Sequence, residues 1–143
     1  MSGAIDVEVV DARLRELSHR LRRVAAKKPA SVKALAANED LQDILARNLT
    51  LALQAALDIA HHLCAARGVM PATAGDAFVQ LAVHKMIDRA LADRLVRANG
   101  FRNVLVHEYV EIDWKIVMRV IRTDLKDLTL FGQAVVALLE REP

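Results

Sequence analysis

The chain has 143 residues, 54% of them hydrophobic but only 3% aromatic, and 20 Lys and Arg against 18 Asp and Glu leave a net charge of +2. High apolar content with nearly balanced charge excludes disorder, and the single cysteine, Cys64, excludes a disulfide scaffold and a zinc finger. Five aromatics in all are too few for a base-stacking nucleic-acid platform. The apolar residues are mainly Ala, Leu and Val, a mixture that favours helices over sheets. No apolar run approaches the roughly 18 residues needed to span a bilayer. The N-terminus lacks the basic start and apolar core of a signal peptide. A cytoplasmic protein with no membrane partner is the expectation.

The first predicted helix covers about Ile5 to Lys28. Val10, Leu14, Leu17, Leu21 and Val24 recur at spacings of four and three and form one apolar stripe, and Pro29 ends it. The stretch 13–28 is basic, with Glu16 its only acid. Arg20, Arg23 and Lys27 share one strip of that helix, read first as a solvated face and second as a phosphate-contacting patch. Residues 30–37 read as a small-residue connection or a short turn.

Asn38 is a good N-cap, and Glu39 and Asp40 suit the positive end of a helix dipole. The helix they open runs to about Arg67, where Gly68 and Pro71 stop it. Its many alanines allow close approach of a neighbour. A short helix follows, with Thr73 and Asp76 as a variant capping box and Phe78 and Leu81 as anchors. A fourth long segment starts near Asp88 and uses Leu91, Leu95, Ala98, Val104 and Leu105. Gly100 interrupts it, which suggests a close contact there. The chain must break after about His107, because Asp113 is the next N-cap, with Ile112 and Val117 placed as a hydrophobic staple. The last helix runs from Trp114 to about Glu140. The expected architecture is all-α: a single-domain (1–143) up-and-down bundle of four long helices plus one short one.

One stretch carries candidate chemistry: Gly100-Phe101-Arg102-Asn103-Val104-Leu105-Val106-His107-Glu108-Tyr109. On an unbroken helix Arg102 and His107 lie about 140° apart, so they cannot converge from one straight segment. The break after His107 lets His107 and Tyr109 sit at a helix end, facing back or toward another chain. The set suits RNA phosphodiester cleavage without a metal. An imidazole moves protons near neutral pH. A guanidinium stays charged and stabilises growing negative charge on a phosphate. Asn103 adds a hydrogen bond, and Tyr109 positions the phosphate. By spacing alone the plainer reading stands first: Arg102 pairs with an acid such as Glu108 or Asp58, and His107 caps its helix.

The pattern Arg102-Asn103-x3-His107-x-Tyr109 resembles the R-x4-H-x-Y motif of HEPN-domain ribonucleases. With Gly100, Phe101 and Asp113 around it, and with Leu57-Asp58-Ile59-Ala60-His61-His62 followed by Gly68 and Pro71, it is similar to the HepT toxin family over about residues 7–140. That resemblance implies the toxin half of a type VII-like toxin–antitoxin pair: a homodimeric helical bundle and metal-independent RNA endonuclease acting on tRNA or mRNA, with no cofactor. It implies Arg102 and His107 as catalytic residues that meet their copies across a dimer cleft. It further implies an MntA-like nucleotidyltransferase antitoxin that silences the toxin by adding AMP to the motif tyrosine, here Tyr109. An AMP phosphate beside Arg102 would compete for the guanidinium and repel RNA, so Tyr109 is expected to be at least partly exposed. The alternative is a non-catalytic HEPN dimer that binds a nucleotidyltransferase or a nucleotide.

Asn103 and Asp58 are the supporting candidates, Asp58 because it lies in an otherwise apolar face and could orient Arg102 or His107. His61, His62 and Cys64 are not expected to hold a metal, since adjacent helix positions point about 100° apart. His19 and His84 read as surface residues, Trp114 as a packing anchor and Cys64 as a buried small apolar residue.

Overall fold

A computed structural model describes residues 3–107 and 112–141, with the side chains of 106 and 107 left aside. The described residues are all-helical. Four long helical segments build the bundle: α1 (Val7–Ala26), α3 (Glu39–Ala66), α5 (Arg89–His107) and a C-terminal rod made of α6 (Trp114–Arg119), a π-turn (Val120–Asp124) and α7 (Leu125–Arg141). Two short helices, α2 (Val32–Ala36) and α4 (Asp76–Val83), sit between them.

The caps explain the boundaries. Asp6 accepts from the Val9 backbone N–H, Asn38 from that of Leu41, and Asp113 from that of Lys115. At the end of α3, Gly68 adopts φ 71°. Its N–H donates to Ala65 O and the Val69 N–H to Cys64 O, a Schellman closure that needs a left-handed residue. The same closure ends α4, but there Lys85 takes the left-handed position with φ 61°.

Three sequence expectations change. The stretch 30–37 is not merely a connection: Ser31 caps α2, and Leu35 is fully buried. Thr73 and Asp76 do cap each other's turn, since Thr73 Oγ1 accepts from the Asp76 N–H and Asp76 Oδ2 from the Ala72 N–H. The regular helix nevertheless begins only at Asp76. Gly100 does not interrupt α5, which runs unbroken from Arg89 to His107, and a Cβ there would meet nothing within 4 Å. Gly100→Ala is therefore expected to raise stability by about 0.5–1 kcal/mol, since alanine removes backbone freedom at no steric cost. Thermal melting checks it, with a Tm a few degrees higher expected. A lower Tm would mean that Gly100 meets something beyond its own chain.

Helix α3 is the spine. Leu45, Leu49, Ala52, Ala56, Ile59 and Ala60 are fully buried, and its alanines let α1 pack along it closely. Its length and composition would allow it to cross a membrane, contrary to the expectation that no run comes near, but most of that apolar window is buried inside the bundle. Phe78 of α4 meets Phe131 of α7 edge to face at 5.6 Å within the core. Cys64 is buried against Ala77 O, as expected for a small core residue. Burial first, and Asp76 second, push its thiol up to about 11, so it is neutral at ordinary pH.

Candidate active site

Helix α5 delivers the motif. Its apolar residues Leu91, Leu95, Ala98, Phe101 and Leu105 are buried and hold one face on the core. That anchoring sets Arg102 half-buried against α3, while Asn103 points to solvent. His107 is the last residue of α5. Because the helix is continuous, the backbone directions at Arg102 and His107 diverge by about 140°. Tyr109 and Glu108, and with them the expected exposure of Tyr109 and an Arg102–Glu108 pair, lie outside the described residues.

Arg102 does not pair directly with Asp58. Its Nη1 donates to Gln54 Oε1 at 2.9 Å. Gln54 Nε2 in turn donates to Asp58 Oδ1 at 2.8 Å. Asp58 Oδ2 lies 3.7 Å from Arg13 Nε of α1, an ion pair with half the arginine side chain exposed. The structure thus links α5, α3 and α1 through one polar line, Arg102–Gln54–Asp58–Arg13. Arg102 Nε is buried and makes no hydrogen bond within the described structure. With Nε enclosed and Nη1 held by Gln54, an approaching anion such as a phosphate oxygen would be met by the Nη groups of the guanidinium.

Gln54 was not among the sequence candidates. The signal was present: it lies four residues before Asp58, on the same strip of a helix otherwise built of Leu and Ala. The basic strip of α1 is also less free than its sequence suggests. Arg20 is turned inward, with Nε on Glu16 and Nη1 on the buried Asn48 of α3. Arg23 and Lys27 remain exposed. His61 and His62 are exposed, with His61 Nδ1 3.0 Å from Leu57 O. His19 and His84 are on the surface and Trp114 is half-buried.

An all-helical bundle with an arginine held half-buried against its central helix, five residues before a histidine at the end of its own helix, has the form of a HEPN ribonuclease. The sequence model described as Ribonuclease HepT-like matches residues 12–135. The mRNA nuclease HepT of Shewanella oneidensis is 35% identical over 92 residues, which cover 64% of this chain and 69% of that protein. The tRNA nuclease HepT of Aphanizomenon flos-aquae is 28% identical over 128 residues, covering 89% of this chain and 87% of that one. Among solved structures, the tri-AMPylated Shewanella oneidensis HEPN toxin in complex with MNT antitoxin superposes with a TM-score of 0.83 at 26% identity, covering 90% of this chain and 97% of the toxin. The chain belongs to the HepT-like ribonuclease family. It is an endoribonuclease and the toxin half of a toxin–antitoxin pair.

Proposed function

We propose that the chain cuts RNA without a metal, as a homodimer, in the cytoplasm. Arg102 binds the scissile phosphate and stabilises the charge that grows on its oxygens. His107 transfers protons, taking one from the 2′-hydroxyl that attacks phosphorus or giving one to the departing 5′-oxygen. The P–O5′ bond breaks as the new P–O2′ bond forms, leaving a cyclic phosphate. The observation that carries this reading is the half-buried guanidinium of Arg102, held by Gln54, on the same helix as His107. Dimerisation answers a geometric need, because two side chains about 140° apart on one straight helix serve a common phosphate best when a second copy completes the cleft. Tyr109 and Asn103 line that cleft in this reading.

Regulation by AMPylation is supported by the relative solved with its antitoxin in a tri-AMPylated state. In this chain the modified hydroxyl is that of Tyr109, the only tyrosine in the sequence, and an MntA-like nucleotidyltransferase supplies AMP from ATP. The two named relatives act on different RNA classes, mRNA and tRNA. Arg102 and His107 grip a phosphate and a ribose, features common to both.

The test uses protein made without its antitoxin and total cellular RNA. New RNA ends are expected, in equal yield with and without EDTA. Co-expression with the antitoxin should add mass in multiples of one AMP unit at Tyr109 and end the cleavage. RNA left intact by unmodified protein would favour the non-catalytic dimer, and a monomeric mass at micromolar concentration would remove the shared cleft.

A further inference from the structure

We propose that Gln54 is a positioning residue for Arg102, locked in one amide orientation by Asp58, and that its neutrality preserves the arginine's charge for the RNA phosphate. The inference rests on the reading of Arg102 given above. A primary amide has a donor end and an acceptor end, a carboxylate only accepts, and a guanidinium only donates. Gln54 stands between the last two, with Oε1 2.9 Å from Arg102 Nη1 and Nε2 2.8 Å from Asp58 Oδ1. A flipped amide would set oxygen against the Asp58 carboxylate and NH2 against the Arg102 guanidinium. Only one orientation satisfies both neighbours.

The order of charges along the line has a purpose. Arg13 is positive, Asp58 negative, Gln54 neutral and Arg102 positive, and the ion pair at 3.7 Å joins the first two. The Asp58 charge is therefore balanced at the α1 end. Gln54 passes on its orienting effect without its charge. An acid placed directly on Arg102 would hold it as firmly but would compete with the phosphate for the guanidinium. Gln54 is half-buried between fully or nearly buried neighbours, Leu53 and Ala55, so its backbone is fixed by the core. The guanidinium edge is thus tied to the helix whose apolar face is buried along the bundle's core.

Two variants of the unmodified protein test this, with kcat and KM for cleavage of total cellular RNA measured from pH 5.5 to 8. Gln54→Leu removes both hydrogen bonds. It is expected to lower kcat by roughly 10- to 100-fold, the scale of a catalytic group displaced by about 1 Å, with KM changed less than threefold. Gln54→Glu gives the distinguishing readout. When protonated, the introduced carboxyl reproduces the amide, its O–H donating to Asp58 and its carbonyl accepting from Arg102. When ionised, it faces a second carboxylate and neutralises Arg102. The kcat of this variant as a fraction of the parent's should therefore fall below that of Gln54→Leu at pH 8, where a carboxyl of ordinary pKa is ionised. The Gln54→Leu ratio should stay flat.

A Gln54→Glu protein with parental kcat at pH 8, or a Gln54→Leu protein with parental kcat, overturns the proposal while Arg102→Ala is inactive. A fully active Arg102→Ala protein overturns the functional reading instead. If Gln54→Leu fails to fold by circular dichroism, the Gln54→Glu ratio alone decides.

Discussion

Replacing His107 with alanine is expected to abolish both RNA cleavage and the growth arrest caused by the chain expressed without its antitoxin. The loss in kcat should be roughly 10²- to 10⁴-fold, the usual contribution of one positioned proton-transfer group. His107 is the terminal residue of α5, and the nearest core anchor on that helix is Leu105, buried to 4% exposure. The substitution leaves Leu105 and the buried residues before it unchanged, and a folded protein by circular dichroism is expected. Equal toxicity of the two proteins would remove His107 from the chemistry. The comparison must be made without the antitoxin, because AMP on Tyr109 would silence both proteins alike.

Arg102→Ala is expected to lower kcat by about 10²- to 10³-fold, as loss of one donor to a developing oxyanion does elsewhere. Its signature differs from that of His107→Ala. The arginine is half-buried and linked to Gln54, so its removal also leaves Gln54 Oε1 without its partner. A stability loss on the order of 1 kcal/mol follows from that orphaned acceptor. Arg102→Lys separates the two effects. Lysine keeps the charge but lacks the planar fork, so it cannot hold Gln54 and a phosphate oxygen with one rigid group. An intermediate rate is expected, recovered more in substrate binding than in kcat. Parental rates from Arg102→Lys would show that charge alone matters and that geometry does not.

Most of the helical framework was legible because it rests on local rules. Caps at Asn38 and Asp113, the stop at Gly68, and apolar spacing along α1 and the last helix all act within a few residues. What stayed hidden acts otherwise. Helix α2 has five residues, too few for a periodic stripe, and exists because Ser31 caps it and Leu35 finds the core. Gly100 looks like an interruption by propensity, but the helix is held on both sides by Ala98, Phe101 and Leu105, and packing overrides the local cost. In the candidate site, Arg102 and Asp58 were each visible as residues. A link between them was expected too, but not its route, which runs through Gln54, 48 residues from Arg102 in sequence, and depends on which way an amide faces. Arg20 shows the same limit: it belongs to a basic strip in sequence and to Glu16 and Asn48 in space.

The π-turn at Val120–Asp124 shows how the last helix serves two neighbourhoods at once. A π-turn closes hydrogen bonds one residue later than an α-turn, so this rod carries one residue more than a plain α-helix of the same rise would need. Before it, α6 packs beside α2; after it, α7 packs across α1, α3 and α5. The extra residue is a phase adjuster between those two surfaces. It keeps Leu128 and Phe131 after the turn, and Val117 and Met118 before it, in one buried core. Loss of one residue within 120–124 could be absorbed by a return to ordinary α geometry, leaving α7 in register. The same loss inside α7 would turn everything beyond it by about 100°, so the rod keeps its tolerance for length change in a single turn.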